Sequence, residues 1–250
     1  MSRMSLGQCS IRLRDDKIPE IATSRPPDIE GRSKRLWLLP GGECYVELIP
    51  SLRSFTYDRD ELIEDTAPLR LDFYERASTR LLEAGISTAF IRRVGKTSYV
   101  AKYYPAPPFE VIVKNRAVGS TIRKYPGLFQ DNELLRRPVV KFDYRVDPED
   151  QPIGDDYLRV LDLPVDEFRR VALRINDEIG AWLNPISVWD FCVIFDLGRT
   201  GEVVVISEIS PDCMRLRAPD GSELDKDLFR RGASAEEITS AWRRLLDELA

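Results

Sequence analysis

Apolar and polar positions alternate in short runs through much of the chain and fall into 3.6-residue stripes at a few places, a mixture that predicts an α+β fold. Ile29 to Leu39 and Cys44 to Pro50 are short alternating segments joined by Pro40-Gly41-Gly42, which has the composition of a hairpin turn. From Pro68 to Glu83 the residues Leu69, Phe73, Ala77, Leu81 and Leu82 recur at helical spacing, and Gly85 is suited to end that helix. Ala89 to Val94, Ser98 to Tyr104 and Phe109 to Asn115 return to strand character, with Gly95-Lys96-Thr97 turning between the first two. These runs are expected to form the sheet of an N-terminal α+β lobe.

The second half begins with a strand over Val139 to Val146 and an acidic, proline-containing loop over Asp147 to Asp156. Pro164 to Leu183 is the clearest helix, with Phe168, Val171, Ala172, Ile175, Ile179 and Leu183 on one stripe and Pro185 blocking its continuation. Val188 to Phe195 and Glu202 to Ser207 predict an antiparallel hairpin closed by residues 197–201, and Ser234 followed by Glu237 predicts a capping box for a last amphipathic helix. The polar residues before Asp28, ending in Arg25-Pro26-Pro27, predict a poorly ordered or edge-lying extension. The division expected is an extension over 1–28, an N-terminal lobe over 29–115 and a C-terminal α+β lobe over 116–250.

Composition narrows the chemistry. The chain has 250 residues, 43% hydrophobic and 32% charged, which suits a soluble globular enzyme. No apolar run approaches the roughly 20 residues of a membrane span and the first residues lack the apolar core of a secretory signal, so a cytoplasmic location is expected, with no membrane partner. A net charge of −5, with Lys and Arg dispersed among acids, argues against nucleic acid and for a small-molecule partner. The oligomeric state stays open, a homo-oligomer included. Cys9, Cys44, Cys192 and Cys213 lack metal-ligand spacing and read as thiols. There is no histidine, so Ser-His and Cys-His nucleophile systems are excluded within one chain and proton transfer falls to carboxylates, Lys, Cys or Tyr.

Four ordered blocks carry a specific resemblance. They are Glu30-Gly31-Arg32-Ser33-Lys34-Arg35-Leu36-Trp37, the run Glu110-Val-Ile-Val-Lys114-Asn115-Arg-Ala-Val-Gly119-Ser120, the triplet Trp189-Asp190-Phe191, and Val203 to Arg231 with Glu208-Ile-Ser210-Pro211-Asp212, Arg215 and Leu224-Asp225-Lys226-Asp227. Together they resemble the signatures of the SAICAR synthetase family, the succinocarboxamide-forming ligases of purine biosynthesis. The resemblance implies a two-lobed, ATP-grasp-like α+β fold with the active site in a cleft between lobes. It also implies an ATP- and Mg²⁺-dependent activation of a carboxylate on an aminoimidazole ribotide, followed by attack of aspartate.

The departures matter as much as the matches. Where the family has a Lys and a Glu after Asp-Phe, this chain has Cys192 and Ile194; the first residue of the family's Asp-Glu pair is Ser207, and its Gly-Lys-Gly turn is Asp65-Thr66-Ala67. Arg32 stands for the first Lys of the opening strand and Gln151 for an acidic residue in a later loop. Mg²⁺ is held by carboxylate oxygens and substrate phosphates, so replacing two such ligands by Ile and Ser makes ATP-dependent ligation doubtful. The expectation is therefore no cofactor and no metal, with ATP and Mg²⁺ required only under the alternative of a conventional ligase with a relocated metal site.

On this reading Asp190, Glu208 and Asp212 take acid-base and orienting roles and Cys192 a thiol role, while Lys34, Lys114, Asn115, Ser120, Tyr144, Arg145 and Arg215 bind substrate. Blander readings stand beside these. Cys192 also fits a small buried hydrophobe, Lys114 and Arg215 fit solvated charges, and Tyr144 and Arg145 fit a strand edge. The Leu224 to Asp227 cassette reads better as a structural tie than as catalytic, and Ile194 as filler. The pattern of loss and retention resembles the divergent members in coformycin and pentostatin pathways. It implies an enzyme acting without ATP on an imidazole- or purine-derived nucleoside or nucleotide, forming a 1,3-diazepine ring. A non-catalytic nucleotide-binding paralogue is the remaining alternative.

Overall fold

Pro40, Gly41 and Gly42 fold the chain back as expected, pairing β2 (Lys34–Leu39) with β3 (Glu43–Leu48) in antiparallel register. The computed structural model describes residue 20 and residues 24–249 apart from 55, 56 and 148, so most of the extension expected over 1–28 lies outside the described residues. The run from Ile29 to Leu39 is not one strand. It breaks at Gly31, and β1 (Ile29–Glu30) turns back so that Ile29 faces Leu36. β4 (Ser51–Ser54) and β5 (Arg59–Leu62) make a two-stranded ribbon ahead of helix α1 (Thr66–Glu83). Leu69, Phe73, Ala77 and Leu81 are buried as the spacing predicts, whereas Leu82 is exposed. β6 (Phe90–Arg93) and β7 (Ser98–Lys102) complete a five-stranded sheet of order β1-β2-β3-β7-β6.

The largest correction concerns β8 (Phe109–Arg116), expected in that first sheet. It lies instead at the centre of a second sheet, between β9 (Leu134–Tyr144) and β11 (Ser187–Val193), with β10 (Gln151–Ile153) and β14 (Met214–Arg217) at the edges. Alternation marks a strand and its faces but does not name its partner. The run Val188 to Phe195 also divides. β11 ends at Val193, the Ile194 amide donates to Ser207 Oγ at 2.9 Å, and β12 (Phe195–Leu197) leaves to pair with β13 (Val203–Val205). The hairpin was expected, but its first strand serves two sheets.

The loop expected over 147–156 contains β10 and the start of α3 (Asp155–Val160), while the short α2 (Ser120–Lys124) follows β8. α4 (Val165–Leu183) buries its predicted stripe, and α5 (Asp227–Arg230) precedes α6 (Ala235–Asp247). In the capping box that opens α6, Ser234 Oγ accepts from the Glu237 amide, and the Glu237 carboxylate accepts from Ser234 N. α1 packs on the first sheet and α4 on the second, and the two helices meet where Phe73 and Trp182 lie 5.1 Å apart. Val111, Val113, Phe168, Ile175 and Phe191 are in the continuous core beneath the second sheet. Among the described residues no helix is long and apolar enough to cross a membrane.

Candidate functional site

Pleating sends alternate residues of a strand to opposite faces, and this sorts the second sheet into a packed side and an open side. Val111 and Val113 of β8 and Phe191 and Val193 of β11 point into the core, while Glu110, Ile112, Lys114, Asp190 and Cys192 line a cleft of about 610 Å³. That volume is in the range of small-molecule sites. Asp190 is paired in register with Lys114 on one side and Arg215 on the other. Its Oδ2 accepts from Lys114 Nζ at 2.8 Å and from Arg215 Nη1 at 2.6 Å. Burial works against the charge, yet Arg215 and Lys114 outweigh it and hold the carboxyl below the ordinary aspartate value. Asp190 is thus a fixed anion that orders two cations and is not a proton donor at neutral pH.

Ser120 sits at the mouth of the same cleft, reached through a turn that only glycine fits easily. Gly119 has φ +57°, and a Cβ there would lie 2.6 Å from Arg215 Nη2. The guanidinium therefore packs under the turn that presents Ser120. Behind it, the Leu224 to Asp227 cassette acts as the expected tie. Asp227 Oδ2 accepts from Arg215 Nε at 3.1 Å and from Arg217 Nη2 at 2.9 Å, and its Oδ1 from Arg230 Nη1 at 2.6 Å. The fully buried Asp225 accepts from Arg217 Nη1 at 2.6 Å and from the Leu216 amide at 2.6 Å. Arg217 and Arg230, which also line the cleft, were missed in the sequence reading.

Pro211–Cys213 forms one turn of 3₁₀ helix capped by Ser210, with proline at its first position setting φ. Asp212 lines the cleft and pairs with Lys226 at 2.8 Å; burial opposes its charge, but Lys226 and Arg70 keep its pKa low. Cys213 follows, its Sγ accepting from Ser210 N at 3.3 Å. Cys192 does face the cleft, beside Cys213. The contact with Cys213, then burial, then the nearby Glu110 push its thiol well above the usual value, which leaves it protonated.

A second cluster lies off the cleft. Glu208, 7% exposed, is gripped by the buried Arg70 of α1: Nε to Oε1 at 2.8 Å and Nη2 to Oε2 at 2.7 Å. Ser210 Oγ adds a hydrogen bond to Oε1 at 2.6 Å, and Lys34 Nζ stands 4.0 Å from Oε2. Burial opposes ionisation of Glu208, but Arg70 and Lys34 keep it an anion. The remaining sequence candidates lie elsewhere. Asn115 points to the helix side and donates to Asn176 Oδ1 at 2.8 Å and to Val188 O at 3.0 Å. Tyr144 and Arg145 are exposed at the end of β9 and do not line the cleft.

The donor set does not fit a magnesium nucleotide. Both Glu208 oxygens are occupied by a guanidinium, Asp212 is neutralised by Lys226, Ser207 Oγ accepts from the Ile194 amide, and Ile194 offers no oxygen side chain. Among the described residues no group of three or more His, Cys, Asp or Glu side chains is arranged to hold a metal ion.

On the cleft face the carboxyl raised toward neutrality is that of Glu110. Burial first, then Asp150 and Asp143, push its carboxyl up to about 7. Its place two and four positions before Ile112 and Lys114 was the only sequence signal that it shares their face.

The fold and cleft together define a mixed α+β protein with a cleft of small-molecule size on the open face of its second sheet. The family model for SAICAR synthetase matches residues 30–248, and the chain belongs to that family of ligases. It is 31% identical over 211 residues to the phosphoribosylaminoimidazole-succinocarboxamide synthase of Shouchella clausii, covering 81% of this chain and 87% of that protein. The synthase of the same name from Methanopyrus kandleri is 31% identical over 212 residues, with 81% and 85% covered. Among solved structures, a SAICAR synthetase in complex with ADP superposes with a TM-score of 0.81 at 25% identity, over 89% of this chain and 97% of that one.

Proposed function

We propose that this chain is a SAICAR-synthetase-family enzyme that rearranges an imidazole- or purine-derived nucleoside or nucleotide without ATP or magnesium, toward a coformycin-type 1,3-diazepine in nucleoside-antibiotic biosynthesis. The observation that carries the ATP-independent part is Arg70 seated on Glu208, which fills with a guanidinium the carboxylate that matches the family's signature. Ile194 and Ser207 extend that loss. A nucleotide-like substrate is supported by the Lys114, Ser120 and Arg215 end of the cleft, where cations suited to a phosphate or ribose are held in place by Asp190 and Asp227. The 1,3-diazepine product follows from the resemblance of the whole pattern to the divergent members of such pathways. Proton transfers and carbonyl-amine condensation drive that chemistry without a phosphoryl donor.

The test is incubation with imidazole and purine ribosides and ribotides, with and without ATP, read by product mass. A product formed equally well without ATP is expected. ATP hydrolysis in step with aspartate ligation to a carboxylated aminoimidazole ribotide would overturn the proposal and favour the second reading, the ligase activity named for the relatives. That reading rests on the names of proteins 31% identical to this chain and on the ADP bound to its structural neighbour. Magnesium-dependent protection by ATP in a thermal-shift assay would support it. A non-catalytic paralogue predicts that Asp190→Asn and Cys192→Ala leave every in vitro function unchanged.

A further inference from the structure

Glu110 and Asp143 are cross-strand partners on the same face of the second sheet, brought together by the pairing of β8 with β9. Asp143 is 4% exposed, and the two sides of its carboxylate differ. Oδ2 is ion-paired with Lys141, while Oδ1 is buried with no hydrogen-bond partner. A buried acceptor without a donor is costly, and it points here to a donor that comes from beside it. Glu110 is the acid next to it, and protonated it supplies the missing O–H. Glu110 itself lines the cleft, on the same face as Cys192 of β11 and Lys114 of its own strand.

We propose that Glu110, set across the strands from Asp143, is the proton donor and acceptor of this cleft, passing its proton to and from a heterocyclic substrate seated over Ile112 and Cys192. The proposal rests on the reading that the cleft transforms an imidazole- or purine-derived substrate. The step is a proton transfer alone. Glu110 O–H gives its proton to a ring nitrogen or carbonyl oxygen of the substrate, leaving a carboxylate, and the reverse step returns it; no electrons move and no co-reactant is needed.

Burial and neighbouring carboxylates disfavour the ionised form, which is how a glutamate becomes an acid-base group near neutrality in a protein with no histidine. The surroundings divide into two sets. Asp143 of β9 and Asp150 of the following loop favour the protonated form, while Lys141 of β9 and Arg145 of the loop favour the anion. Burial adds to the first set, and the balance puts Glu110 at about 7. From β11 the neighbour is the Cys192 thiol, kept protonated and so not a competing base. Asp190 and Asp212, held as anions by their cations, are not competitors either.

Two measurements on the full chain test this. With glutamate labelled at Cδ, a carbon-13 resonance titrating with a midpoint near 7 is expected, absent from Glu110→Gln and moved to lower pH in Asp143→Asn. A Glu110 that titrates in the ordinary glutamate range overturns the proposal whatever the enzyme does. In the product-mass assay with imidazole and purine ribosides and ribotides, Glu110→Gln is expected to lower kcat by about 100-fold or more and Glu110→Asp to keep a reduced rate with a displaced pH profile. Active wild-type protein with a Glu110→Gln rate within about threefold of it overturns the role of Glu110 and leaves the functional reading standing. Wild-type protein that converts none of the ribosides or ribotides overturns that reading, and the catalytic role with it.

Discussion

Arg70 and Glu208, 138 positions apart, meet as a bidentate ion pair in which both side chains are almost wholly withdrawn from solvent. Removing one partner of such a pair strands the other charge, at a cost of about 3–5 kcal/mol, whereas replacing both by apolar groups of similar volume is close to neutral. Arg70→Met should therefore destabilise the protein by that amount in urea unfolding, and Arg70→Met with Glu208→Met should recover most of the loss. A single variant that loses less than about 1 kcal/mol would mean that Glu208 finds another cation, with Lys34 at 4.0 Å the candidate.

How far the sequence discloses this pair is instructive. Arg70 lies in the helical stripe between Ala67, Phe73, Tyr74 and Ala77, all buried, so a charge in an apolar stripe was visible in the spacing. Its partner was not, because nothing local links a helix in the first half to the turn before Pro211. The same limit explains β8. Its faces could be read from alternation, and Lys114 and Asp190 both line the cleft, but its membership in the second sheet depends on β9 and β11. The acidity of Glu110 was hidden for that reason, since Asp143 and Asp150 reach it only through strand pairing. The hairpin at residues 40–42, the long helices and the capping box at Ser234 were legible because their signals are local.

Asp190→Asn removes the anion shared by Lys114 and Arg215 and should cost about 3 kcal/mol at pH 7. Because the folded carboxyl titrates below its unfolded value of 3.8, its contribution is present above that pH and is lost as pH falls through the lower folded value. Stability measured from pH 6 down to pH 2 should thus fall less steeply in Asp190→Asn than in the wild type. Parallel acid limbs would show that Asp190 is not held as described.

Gly119→Ala combines backbone strain with displacement of a binding group. At φ +57° and ψ −119° an alanine costs roughly 1–3 kcal/mol, and its Cβ would press on Arg215 Nη2 and displace the guanidinium whose Nη1 serves Asp190. The expected result is a modestly lower Tm together with at least a tenfold weaker affinity for a ribotide in calorimetry. Unchanged affinity would remove Arg215 from the binding end of the cleft.

Cys192 should be a slow thiol despite facing the cleft. Only the thiolate is nucleophilic, and each unit by which the pKa rises lowers its fraction at pH 7 about tenfold. Alkylation by iodoacetamide, followed residue by residue by mass, is expected to be at least tenfold slower at Cys192 than in a free cysteine peptide. Cys213→Ala should speed it, since the Cys213 contact is the largest cause of the shift. A fast Cys192 in the wild type would restore it as a nucleophile.

Glu110 gives the opposite dependence from Asp190. Its carboxyl titrates at 4.5 in the unfolded chain and about 7 in the folded one, so the folded state holds a proton that the unfolded state releases first. The associated stability is fully present below pH 4.5 and is lost as pH rises through about 7, a total of roughly 3 kcal/mol at the upper end of what such a shift implies. Glutamine mimics the protonated acid and does not ionise. Glu110→Gln should match the wild type at pH 5 and exceed it in Tm at pH 8, where the wild type carries a charge beside Asp143 and Asp150. A variant that is less stable than the wild type at pH 8 would mean that the Glu110 anion is welcomed in the fold, and would leave Asp143 Oδ1 without the donor that a protonated glutamate provides.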